Sequence, residues 1–264
     1  MKFLKYIFLL SLIAGSFTFY PTSVKAALID NLVSYWKLDE SSGDAADSHG
    51  ANTLTNTGVV FSAGKINNGA DFERGDLTDI LTITDTTQTG LDITGDIAIS
   101  AWLKVETAPG NTEQYHIVNK FLSTGNQRSY FFNYSDVGGT KRLQFTAGKG
   151  DDSESLNVSH DLGTGVWHHI VMSWKATTST LTVYVDGSSV GTAVGTYTSL
   201  FSGTSNFSIG DSQPGAGNIF DGMIDEVGIW SRVLTSDEVT SLYGGGSGLV
   251  YPLIVSNANF FVLF

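Results

Sequence analysis

Between residues 31 and 230 the apolar side chains recur mostly at every second position, as in Ile170, Met172 and Trp174 or in Leu181, Val183 and Val185. Clusters of Gly, Asn, Asp, Ser and Thr cut the pattern at short intervals. A period of two is that of a strand with one buried face. The pattern predicts strands over 32–38, 69–74, 79–84, 96–106, 115–121, 128–135, 141–147, 153–159, 166–175, 180–186, 206–210 and 219–230. Trp167, Ile170, Met172 and Trp174 are expected to pair with Leu181, Val183 and Val185, and Asp186-Gly187 supplies a tight hairpin turn. Many short antiparallel strands without a helical period mean two stacked sheets. Trp102, Trp167, Trp174 and Trp230 fall inside apolar-periodic strands and read as core.

One helix is expected late in the chain. Thr235 and Glu238 have capping-box spacing, Val239 and Leu242 share a face, and Gly244 suits a left-handed cap. Gly244 to Gly248 (GGGSG) reads as a flexible linker or domain edge. The apolar tail 249–264 is too short to span a membrane and is interrupted by Pro252, Ser256 and Asn257. It reads as an extra strand, an adhesive end or the stub of a longer chain.

The first 26 residues carry Lys2 and Lys5, then an apolar run from Tyr6 to Ala14, then Val24-Lys25-Ala26, the pattern of a cleaved secretory signal. Three of the 14 basic residues and none of the 26 acidic ones lie in this segment, so the formal charge of −12 becomes −15 after cleavage. Such a balance disfavours nucleic acid and anionic lipid as partners. With no cysteine, an exported domain has no disulfide, no thiolate nucleophile and no cysteine-held metal. One large domain, 27–246, can bury a core of its own.

Alternation raises a difficulty at FDGMIDEVGIW (220–230). Asp225 and Glu226 are adjacent and set among Met223, Ile224, Val227, Ile229 and Trp230. Neighbours on a strand point to opposite faces, so one carboxylate is expected to be solvated and the other needs a partner.

LVSYWKLDESSGDAADSHG (32–50), ITGDIAISAWLKVE (93–106), VWHHIVMSWKATTSTLTVYVDG (166–187) and FDGMIDEVGIWSRVLTSDEV (220–239) resemble, in order and spacing, the LamG-like jelly-roll domain. The resemblance runs from about Asn31 to Gly246. It implies an all-β, two-sheet antiparallel jelly-roll sandwich of the concanavalin A-like kind with one short C-terminal helix. It also implies a structural calcium ion held by Asp47 and Asp225, with Glu226 facing solvent or Arg232; a hydrogen-bonded turn at Asp47 and a strand-end Asp225 on backbone donors form the competing reading. NFSIGDSQPG (206–215) is similar to pentraxins, which implies a second site at Asp79, Asp211 and Gln213, although the acids there are sparser than a pentraxin site needs.

The expected function is a secreted, calcium-stabilised recognition module for a glycan or cell-surface polymer. The candidate sugar-binding set is Tyr115, Tyr130, Tyr134 and Tyr197, with Asn126, Gln127 and Arg128 from the loop STGNQR; ordinary packing competes for each. A structural or adhesive domain without a small ligand is the alternative. A polysaccharide hydrolase or lyase of the same fold is the third reading, but no E-x-D-x-x-E strand is present, and Asp151, Asp152 and Glu154 read as a solvated hairpin. His168 and His169 point to opposite faces and cannot together hold a metal from one strand.

Overall fold

The computed structural model describes residues 28–212 and 217–254. The expected signal segment, Gln213 and the end of the tail lie outside the described residues. The elements in chain order are β1 (Leu32–Trp36), β2 (Thr55–Thr57), β3 (Val60–Ala63), β4 (Asn68–Phe72), β5 (Ile80–Ile83), β6 (Ile97–Val105), β7 (Gln114–Leu122), β8 (Gln127–Val137), β9 (Thr140–Gly150), β10 (Ser153–Ser159), β11 (Trp167–Lys175), β12 (Thr180–Val185), β13 (Ser188–Val194), β14 (Phe207–Ile209), β15 (Gly222–Trp230) and α1 (Ser236–Tyr243). One sheet runs β13-β12-β11-β6-β15-β4-β3, with β1 added beside β15; the other runs β10-β9-β8-β7-β14-β5-β2. The jelly-roll sandwich with one short helix is what alternation and resemblance both imply.

The inner faces supply the core. Ile170, Met172 and Trp174 lie opposite Val185, Val183 and Leu181 in the β11–β12 pair. Asp186 (φ 51°) and Gly187 (φ 78°) both take the positive φ of the tight turn that joins β12 to β13. Trp174 stacks on Phe145 at 5.8 Å, and Trp36 on Phe207 at 5.2 Å, each pair joining one sheet to the other. Such ring pairs contribute about 1 kcal/mol beyond the area they bury. Trp167 differs from expectation. It opens β11 opposite Lys104 and is only half-buried, because the strand's first residue projects past the core.

A smaller core lies outside the eight-stranded sheet, where α1 packs Val239 and Leu242 near Tyr35, Val171 and Trp230. Thr235 caps α1 with the reciprocal Glu238 bond, and Gly244 closes it at φ 57°. Residues 244–254 are not a loose linker. Gly248 and Leu249 donate amides to Tyr243 and Leu242, and Leu253 is buried. Strands β2, β3 and β13 were not expected, being short edge segments rich in Thr, Ser and Gly with weak apolar alternation.

The pair Asp225–Glu226 is accommodated by a bulge. β15 pairs Asp225 with Trp102 and then Gly228 with Ser100, leaving one extra residue on β15. Glu226 takes φ 51°. The extra residue breaks alternation. Ile224, Val227 and Ile229 therefore stay in the main core while both carboxylates fall on the outer face.

Candidate functional site

On β7 to β10 the core takes Tyr115, Tyr130, Tyr134, Leu143, Phe145 and Leu156. The intervening residues form the outer face of the seven-stranded sheet. Two rows cross four strands there: Asn119, Phe131, Thr146 and Ser155, and His116, Asn133, Gln144 and Asn157. At ordinary strand spacing each row spans about 14 Å. A bulge between His116 and Val118 puts both Ile117 and Val118 in the core and returns Asn119 to the outer face.

The first row, with His116 and Gln144 of the second, floors a groove of about 410 Å³. Its aromatic side chains are Phe121 and the 8 % exposed Phe131, which stacks on His116 at 4.8 Å and is met edge-on by Phe121 at 4.9 Å. Amides line it from Gln114, Asn119, Gln144 and Asn218, and hydroxyls from Thr146, Ser153, Ser155 and Ser212. Gln144 donates to Thr146 Oγ1 and Ser155 Oγ at 3.0 and 3.1 Å, and Asn119 Nδ2 to the Phe121 and Ser212 carbonyls. Burial pushes the His116 imidazole down to about 4, so the ring is neutral at pH 7. His116 Nδ1, Asn119 Oδ1, Ser129 Oγ, Asn133 Oδ1 and Ser135 Oγ are buried on this face without a hydrogen-bond partner. Polar side chains kept where apolar ones would be more stable are the kind of local conflict that marks a working surface.

Of the residues read from sequence as sugar-binding, the three strand tyrosines lie on strands of this groove but point into the core. Tyr115, Tyr130 and Tyr134 are fully buried. Tyr130 donates to the Leu91 carbonyl and Tyr134 to Asp161, and no ring face is open to a ligand. Arg128 is occupied by the Gly150 and Asp151 carbonyls, Gln127 by the Thr204 amide, and Tyr197 by Asp152. Asn126 is exposed in the turn after β7, beyond Ser123 at the groove's rim. The legible signal is the complementary set: on four successive strands the positions between the core residues are largely polar, as Gln114, Asn133, Gln144 and Ser155 are.

The second site is the bulge. Asp225 Oδ2 accepts the Lys65 and Ile66 amides at 2.8 and 2.9 Å, and Glu226 Oε2 accepts the Tyr35 hydroxyl. Asp225 Oδ1 and Glu226 Oε1 are buried with no donor. Burial first of all pushes Asp225 up to about 8 and Glu226 up to about 7. Glu226 is 3 % exposed, so it is neither solvated nor paired with Arg232, whose guanidinium grips Glu238 at 2.7 Å. Asp47 is bound to backbone donors. Its two oxygens accept the amides of Tyr35, His49, Gly50 and Asn52, which ties the turn to β1. A calcium ion needs six to eight oxygens. Asp47 Oδ1 takes three of the four amides and Oδ2 one, whereas Asp225 and Glu226 each keep a buried oxygen with no donor, which suits the adjacent pair to an ion.

Asp79 and Asp211 have separate local tasks: Asp79 accepts the Glu73 amide and Asp211 the Ser212 amide. Among the described residues, one group of three carboxylates, Asp71, Glu73 and Glu106, brings its oxygens within 4.8 Å, and two of the three are exposed.

The profile of the concanavalin A-like lectin/glucanases superfamily matches residues 74–240, more than half of the chain and the span that holds the groove. The chain belongs to this superfamily. No curated protein matches it in sequence. Among solved structures, this superfamily member is similar to the binding domain of Paraclostridial Mosquitocidal Protein 1 (16% identity, 81% of this chain and 52% of that one, TM-score 0.61). It is similar to domain 4 of AbnA, an extracellular arabinanase of Geobacillus stearothermophilus solved with arabinotriose (18%, 80% and 97%, TM-score 0.56). It is also similar to the binding domain of botulinum neurotoxin DC solved with SialylT (12%, 82% and 52%, TM-score 0.61). These likenesses establish the fold, and the chain spans about half the length of the toxin domains it matches. Among the described residues no helix is long and apolar enough to cross a membrane.

Proposed function

We propose that this protein is an exported carbohydrate-binding module that holds a glycan in the groove on the outer face of β7 to β10. The observation that carries the reading is the Phe131 ring of β8 set among amides and hydroxyls of β7, β9 and β10, the surface that a sugar's apolar face and its hydroxyls require. The arabinotriose complex of the arabinanase domain supports it. The lining side chains include no carboxylate, so the groove offers no acid–base pair for glycoside hydrolysis, and we read it as a site that binds without cleaving.

Retention of the purified mature domain in gels containing polysaccharides tests the reading. Phe131→Ala removes the ring and Ser155→Trp fills the groove from an exposed position. Each is expected to weaken retention at least tenfold, about 1.4 kcal/mol, while Ser155→Trp, which gives up only the bonds to Gln144 and Thr146, still unfolds in one cooperative transition. Retention that survives both substitutions would place the site elsewhere. Export is part of the same proposal: the secreted protein is expected to begin at Ala27, and an intact N-terminus in its mass spectrum would remove the signal-peptide reading.

We further propose that a calcium ion braces the bulge through Asp225 and Glu226. The two buried carboxylate oxygens without donors support this assignment.

A further inference from the structure

We propose that the groove selects uncharged glycans and rejects those bearing carboxylate or sulfate groups; this rests on the carbohydrate-binding reading above. The lining is built from amides, hydroxyls, two phenyl rings, a leucine and one histidine, and none of the acidic, lysine or arginine side chains of the described residues lines it. The histidine does not serve as a cation, because its burial keeps the imidazole neutral at pH 7. An anionic substituent brought into the groove would lose water without meeting a counter-charge, and an unpaired buried charge is costly.

The cations on the same strands are engaged elsewhere: Lys141 pairs with Asp136 and Lys149 lies over the Tyr197 ring. Arg128 donates to the carbonyls of Gly150 and Asp151. Arg142, two residues before Gln144, donates to the Val137 carbonyl. Lys120 points inward and is fully buried. At longer range the formal charge of −12 for the whole chain repels a polyanion before contact.

The lining amide of Asn119 offers an anion no donor, because its Nδ2 is committed to the carbonyls of Phe121 and Ser212, and a carboxylate or sulfate only accepts.

The test is affinity electrophoresis of the mature chain through gels containing linear arabinan, xylan or mixed-linkage β-glucan, and through gels containing polygalacturonate, alginate or dextran sulfate, at low and high salt. The expected result is retention by at least one neutral polymer, insensitive to salt, with every acidic polymer weaker by about tenfold or more. Gln114→Lys places a cation at an exposed position of the lining and is expected to add salt-sensitive retention by acidic polymers. Retention of the wild type by an acidic polymer as strongly as by the best neutral one, abolished by Ser155→Trp, would overturn the neutral selectivity and leave the carbohydrate reading standing. No retention by any of the six polymers would instead overturn the carbohydrate reading itself.

Discussion

Lys120→Met is expected to destabilise the domain by about 3 kcal/mol. Lys120 is fully buried, an unusual state for an ammonium group. Its three donors are answered by Asp85 Oδ1 at 2.7 Å, Asp92 Oδ1 at 3.0 Å and the Ser205 carbonyl at 2.9 Å. The lysine thereby ties β7 to the loops on either side of it, 84–92 and 201–206. Methionine fills similar volume but leaves two carboxylates facing each other and a carbonyl without its donor. Asp92 is 37 % exposed and can partly rehydrate, which places the cost at the lower end of the 3–5 kcal/mol range for breaking a buried pair. Arginine is not expected to rescue, because its planar fork needs room that a packed ammonium site lacks. Urea unfolding measures the effect as a lowered midpoint at constant slope. A loss below about 1 kcal/mol would mean that the desolvation of Lys120 already cancels its attraction to Asp85 and Asp92.

In calcium-free buffer the domain is expected to lose stability as pH rises from about 5 to about 8 through the Asp225–Glu226 pair. Both folded-state values are raised by burial, to about 8 and about 7, against about 4 in the unfolded chain. Between those limits the folded state holds protons that the unfolded state has released. The contribution is therefore fully present below about pH 4 and lost as pH climbs through the folded values. The slope is on the order of 1 kcal/mol per pH unit for each group, less where the two titrate together. Asp225→Asn keeps an oxygen for the Lys65 and Ile66 amides and should flatten the profile.

Calcium would occupy the place of the protons, so its effect on the melting temperature is expected to be larger at pH 8 than at pH 5. That response should vanish in Asp225→Asn and in Glu226→Gln. Asp47→Asn should melt lower, since four amides lose a charged acceptor, yet keep its calcium response. A flat pH profile in the wild type would contradict the raised carboxylates, and a calcium response surviving both Asp225→Asn and Glu226→Gln would place the ion elsewhere.

Period-two alternation with its turn chemistry was enough to place most strands, because each strand has one face in a common core and alternation is the local record of that burial. The β11–β12 pair and the capped helix after Thr235 were readable for the same reason: a hairpin register and a capping box are set by residues only a few positions apart. The edge strands β2, β3 and β13 escaped because they bury little and so leave little pattern.

The groove was half legible. Four successive strands carry polar side chains at alternate positions, yet alternation alone does not say which of two mixed faces looks inward when tyrosines occupy one and a phenylalanine and a histidine the other. The core volume decided it, taking Tyr115, Tyr130 and Tyr134 inside and leaving Phe131 and His116 to the outer surface. Asp225 and Glu226 show the same division. Residues 220–230 read alone put two carboxylates on an apolar strand, and strict alternation would divide them between two faces. Strand pairing overrides this, because β6 and β1 hold β15 on both sides in registers that leave one residue over. That extra residue turns at positive φ and carries both carboxylates to one side, out of water and beside Tyr35.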